Sequence, residues 1–164
     1  MRPALLLTAA LALGVGACVL APATGGSPGR AAHLGTFVWD EGWEGFGGFS
    51  AIEVAADGQS FTMLSDRALL VTGRFRRDES GAVSGVEAVA RERVLDPGGN
   101  RLPGLRGDSE GLAIAADGTV YISLEGDVRV RVQGRDGLPP ALLPSHPDFG
   151  RMRRNRALEA LAVD

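Results

Sequence analysis

The chain has 164 residues, a net charge of −3, 24 glycines, nine prolines and a single cysteine. All 17 basic residues are arginine and, apart from RMRRNR at 151–156, they are scattered, so the chain offers nucleic acid no sustained basic stripe with stacking aromatics. One cysteine excludes an internal disulfide and a cysteine metal site, and abundant glycine with few aromatics suits short strands joined by tight turns.

Residues 1–23 carry Arg2, an apolar run from Ala4 to Leu20 and then small residues, the layout of a secretory signal. The run is slightly short for a membrane span, and TGGSPGRAA after it lacks stop-transfer character, so no transmembrane helix is expected. VGAC, ending at Cys18, resembles a bacterial lipobox, which would make Cys18 a lipidated N-terminus. Alternatively, Cys18 is an ordinary signal residue, with cleavage after Ala17 or Ala23. Either way the product is expected to be exported, to the periplasm or outside the cell, with a lipid anchor on the first reading. Residues 24–45 read as a linker followed by a strand, LGTFVWD at 34–40, which would complete the last unit of a full ring and here has no partner, and 46–164 as the folded domain.

From Phe49 the pattern has period two. FSAIEVAA breaks at Asp57-Gly58, a dipeptide suited to a type I′ hairpin turn. QSFTMLSD, LLVTGRF and, after RRDESG, VSGVEAVARERVL then supply three further strands. The order repeats in EGLAIAA, TVYISLE, DVRVRVQ and, after GRDG, LPPALLP, whose prolines suit an edge strand. At an offset of sixty, Ser50 corresponds to Glu110, Ile52 to Leu112, Asp57 to Asp117 and Ser65 to Glu125. LEALAVD at the end begins the phrase again, Glu159 aligning with Glu110, which makes a strand there. A helix over 154–164 is the alternative, because Ala157, Leu158, Leu161 and Ala162 are near helical spacing.

A four-stranded meander recurring at this spacing is the signature of a β-propeller blade. The fold class expected is all-β, an incomplete propeller of two four-stranded antiparallel blades plus the start of a third. Propellers close with about four to eight blades. The chain is therefore expected to be truncated, to leave blade faces uncovered and to self-associate through them.

FGGFSAIEV, LSDR, GDSEGLAIAADGTVYISLEG and NRALEALAVD, in this order, resemble the motifs of the esterase-like phytase family, bacterial secreted proteins with a phytase-like β-propeller. The likeness runs from about Phe46 to Asp164. In the family the first motif is closer to GGLSGL and the last to NRGFEGL; here Phe49 and Ala51, and then Ala157, Leu158 and Ala160, depart from it. The resemblance implies a hydrolase of phosphate or other esters acting on a small anionic substrate.

In a propeller the first strand of each blade lines the channel, so residues just before it crowd one rim. Asp108, Glu110 and Glu159 are expected to converge there as catalytic groups, with Asp66 and Glu125 at the ends of second strands. Clustered carboxylates repel unless a cation lies between them, and a hard oxygen set drawn from these five acids favours Ca²⁺, or else Mg²⁺. Arg67 and Arg156, with Asn155 beside the latter, are candidates to clamp an anionic substrate. The competing reading is that the acids satisfy loop amides or pair with arginines, and Asp57 and Asp117 are read as turn residues. No GxSxG occurs, and His33 and His146 read as surface residues. Trp39, Trp43 and Phe46 read as packing against the first blade, or as a sugar-binding or interface patch. The rival readings are a non-catalytic envelope propeller that binds a partner, tethered through Cys18 if that residue is lipidated, and an inactive fragment.

Overall fold

The period-two segments become eight strands in two antiparallel meanders. A computed structural model describes residues 31–134, 138–153 and 156–163. The first sheet has the order β1 (Phe49–Val54), β2 (Ser60–Ser65), β3 (Leu69–Arg77) and β4 (Val83–Arg93); the second has β5 (Ser109–Ile114), β6 (Val120–Leu124), β7 (Arg129–Val132) and β8 (Ala141–Leu142). All eight expected strands form, in the expected order. β8 is a short exposed edge beside the prolines, which cannot donate to a ladder. Leu34–Asp164 is one compact unit; of the other, Met1–His33, only 31–33 are described, so the signal segment and Cys18 lie outside the described residues.

The sheets pack face to face. Leu64, Ala68, Leu70 and Val94 from the first meet Leu112, Ile122 and Leu124 from the second, with Ala51 and Leu102 at the margin. Ser109 lies at this seam, fully buried. Its hydroxyl donates to the Ser65 carbonyl at 2.7 Å and accepts from the Ala68 amide at 3.1 Å, tying the start of β5 to the turn after β2. That turn sets the non-glycine Ala68 at φ 55, and Val128 takes φ 43 in the corresponding turn of the second sheet.

The offset of sixty holds for the first and third strands but not the second. The Asp57 hairpin closes from Ala55 to Ser60 and the Asp117 hairpin from Ala115 to Thr119, one residue shorter. The turn from β6 to β7 then spans one residue more than that from β2 to β3, since Leu124 pairs with Arg129 where Ser65 pairs with Leu69. The residue equivalent to Glu125 is therefore Asp66, not Ser65 as sequence alignment has it. Each amide bonds back to the mouth of its own first strand, Asp66 to the Gly48 carbonyl at 2.7 Å and Glu125 to the Asp108 carbonyl at 2.8 Å.

Three further expectations are corrected. The Asp-Gly turns are not type I′: Gly58 and Gly118 have positive φ, at 66° and 81°, but the aspartates do not. Instead the Asp57 carboxylate accepts from the amides of Gln59 (2.8 Å) and Ser60 (2.7 Å), a local bridge that competes with the mirror-image turn. Residues 34–40 form no strand, because neither sheet offers them a ladder; Trp39 anchors them by stacking on Phe49 at 5.5 Å and meeting Phe46 edge-on at 4.9 Å. Residues 156–163 are neither strand nor helix. They lie on the second sheet, where the Ser123 hydroxyl donates to the Leu158 carbonyl at 2.6 Å and Ala157 is buried.

Ser109→Ala removes the hydroxyl's bonds to the Ala68 amide and the Ser65 carbonyl, which keep a 3.2 Å bond to each other. It is expected to lower unfolding free energy by about 1–3 kcal/mol in a denaturant titration, with the strands intact by circular dichroism. The Asp57 carboxyl, held down to about 2 by the Ser60 hydroxyl and the Gln59 and Ser60 amides, should titrate there by NMR. Since the folded value lies below the ordinary 3.8, its contribution to stability is complete above that pH and fades as pH falls toward 2. An Asp57 midpoint near 3.8 would refute the bridge.

Candidate metal centre

The hairpin β5–β6 brings its acids together by construction. Asp108 precedes β5, Glu110 lies within it, and Glu125 follows β6. The bond from the Glu125 amide to the Asp108 carbonyl extends the ladder by one rung and sets these residues side by side. One carboxylate oxygen from each of Asp108, Glu110 and Glu125 lies within 4.8 Å of the others, an arrangement that could hold a metal ion. Glu125 is buried, only 6% exposed; Asp108 and Glu110 are half-buried.

The crowding has an electrostatic signature. Burial, followed by the charges of Glu125 and Asp66, pushes the Asp108 carboxyl above the usual carboxylate range. Glu110 is raised first by burial and then by Asp108, with smaller pushes from Glu125 and Glu159, while the Ser50 hydroxyl favours its ionised form. A raised carboxyl pKa means that the native state resists ionising these groups, the situation a bound cation relieves. The donors are all oxygen, and the buried Asp66 Oδ1 nearby has no hydrogen-bond partner. Both features fit a hard divalent ion.

The other sequence-predicted residues stand further out. Asp66 faces Gly48 so closely that a Cβ there would fall 2.4 Å from Asp66 Oδ1, and Arg67 Nε lies 3.6 Å from that same oxygen. Arg67 is exposed. Glu159 is exposed and acts on Glu110 through its charge alone. Arg156 is exposed, and Asn155 lies outside the described residues. Asp57 and Asp117 bond within their turns, Asp117 to the Thr119 amide at 2.8 Å.

Two roles were not evident from sequence. Glu125 also accepts from the Ala157 amide at 3.1 Å, so the innermost carboxylate helps to dock 156–163. Ser50 borders Glu110, and the only sequence signal for this was its alignment with Glu110 in the repeat. The aromatics pack as a connected group against the first sheet, Trp43 on Phe46 at 4.9 Å, with the Arg91 guanidinium 4.9 Å from the centre of the Trp43 ring.

Among the described residues no helix is long and apolar enough to cross a membrane. Neither the curated proteins nor the solved structures contain a match to the chain. A family model does match, over residues 44–164, and its description is phytase-like, esterase-like activity of phytase. The match takes in both sheets, the acid cluster and the docked 156–163 segment, and on that span the chain belongs to the phytase-like family.

Proposed function

We propose that the chain forms part of a β-propeller ester hydrolase, with the two sheets as successive blades. Support for the propeller comes from how neighbouring units stack. Ala51 packs against the core to which Leu112 belongs, and Leu161 lies against Gly111, the residue equivalent to Ala51, where a Cβ would be 3.0 Å from Leu161 Cβ. The 156–163 segment thus sits on the second sheet as β5 sits on the first.

The observation that carries the chemistry is the three-carboxylate group. Asp108, Glu110 and Glu125 would hold a divalent cation. Oxygens up to 4.8 Å apart suit the 2.3–2.6 Å bonds of Ca²⁺, whereas Mg²⁺ would need them drawn closer. When bound, the ion supplies Lewis-acid polarisation of an ester oxygen and eases ionisation of water. Glu159, exposed beside Glu110, would take the proton of the attacking water on a carboxylate oxygen and return it to the alcohol oxygen as the ester bond breaks. Arg67, steadied by Asp66, orients an anionic ester through its guanidinium. Arg156 completes that clamp from the docked segment.

Residues 1–23 would export the protein, and Cys18, if lipidated, would tether it to a membrane surface. Ile52 and Val54 on β1 are 47% and 45% exposed and Val89 on β4 is 65% exposed, a face suited to self-association.

Calorimetric titration with Ca²⁺ tests the reading. Saturation at about 100 times Kd should raise unfolding free energy by about 2.7 kcal/mol. Glu110→Gln removes a repelling charge from a group whose folded pKa is raised, so near neutral pH it should raise the melting temperature of the cation-free protein and abolish the Ca²⁺ increment. Cation binding without Ca²⁺-dependent ester hydrolysis would favour the non-catalytic, partner-binding propeller. No binding, with Glu110→Gln melting lower, would remove the metal centre altogether.

A further inference from the structure

Beside the acid cluster lies a second feature that the proposed chemistry leaves unused. A cavity of about 380 Å³ is walled by Trp39, Phe46, Phe49, Ile52 and Met63, with Ser50 on its rim. That size falls in the range of roughly 300–1,000 Å³ typical of small-molecule sites. Its aromatic rings are only half-buried although they stack on one another, so apolar surface remains turned to the cavity.

Two backbone features join this cavity to the carboxylates. Ser50 lines the cavity and borders Glu110. Gly47 lines it too, and the next residue, Gly48, presses against Asp66. Both glycines have positive φ, 92° and 61°, and a side chain at Gly48 would collide with the Asp66 carboxylate. This glycine pair keeps the wall between cavity and acids one backbone thick.

Charge narrows what could lie across the two. Asp66, Asp108, Glu110, Glu125 and Glu159 all belong to this neighbourhood, and Arg67 is already paired with Asp66. A divalent ion offsets two of the five negative charges. A polyanion such as a multiply phosphorylated polyol would meet far more repulsion here than a singly esterified group.

We propose that the aromatic cavity is the leaving-group subsite, and that the substrates are esters of a bulky apolar or aromatic alcohol rather than polyphosphorylated polyols. This rests on the metal-centre reading for the reacting end of the ester. The subsite itself is a matter of binding and needs no turnover to be tested.

Isothermal titration of the full chain with 1-naphthyl phosphate, glycerol 3-phosphate and inositol hexakisphosphate, each with and without Ca²⁺, reads it directly. The naphthyl ester should bind at least tenfold tighter than the other two. Ile52→Asp, at an exposed wall position, should erase that preference, and Val54→Asp, equally exposed on β1 but outside the cavity, should keep it. Circular dichroism checks that both variants fold. Equal affinities, tighter binding of the hexakisphosphate, an indifferent Ile52→Asp, or no binding of any probe would each overturn the proposal. Naphthyl preference that persists unchanged without Ca²⁺, in a protein that binds no cation, would leave the subsite standing and remove the metal centre instead.

Discussion

A buried hydroxyl ties the two sheets together where β5 begins. Ser109 opens β5 at a point where no ladder partner crosses from the first sheet, and its side chain supplies the missing connection to Ser65 and Ala68. The apolar seam gives the sheets a reason to approach, but apolar contact has no direction. The hydroxyl has one. It fixes the height at which β5 enters, and therefore the height at which Asp108 and Glu110, its neighbours on either side, meet Glu125.

The acids then follow from hairpin geometry. A first strand begins where the second strand ends, so residues flanking that end share one rim whatever their sequence. The amide of Glu125 on the carbonyl of Asp108 holds the pair in register, and burial keeps water from screening their repulsion. The segment at 156–163 is drawn into the same arrangement from the other side. Its Ala157 amide bonds to Glu125 and its Leu158 carbonyl accepts from Ser123, with Leu158 held at φ 47. Such strain in a non-glycine residue persists only where its surroundings over-determine it.

Much of this was legible in the sequence, because period-two alternation and Asp-Gly punctuation report strands and turns locally. The eight strands could be read that way, whereas of the acids expected to converge on one rim Asp108 and Glu110 meet and Glu159 stays exposed outside their cluster. Alternation reports period without face, however: in DVRVRVQ it is Arg131, 2% exposed, that turns inward, paired with Asp127 at 3.3 Å. Nor does sequence alignment detect two length changes that cancel, which is why Ser65 rather than Asp66 aligned with Glu125. A strand at 34–40 or at 158–164 needs a ladder partner distant in sequence, and local pattern carries no information about one. The innermost role of Glu125, ahead of Glu159, depended on the same non-local packing.

Gly48–Ala68 and Asp108–Val128 are segments of equal length that begin at a rim residue and end at a non-glycine residue of positive φ. At the rim positions the first holds Gly48, Ser50 and Asp66, and the second holds Asp108, Glu110 and Glu125. The two segments part company at the rim itself: Gly48 takes φ 61 with Asp66 pressed against it, where Asp108 takes φ −67. Charge at the rim is therefore a property of one cassette rather than of the repeat, and the first could not gain an acid at Gly48 without moving Asp66.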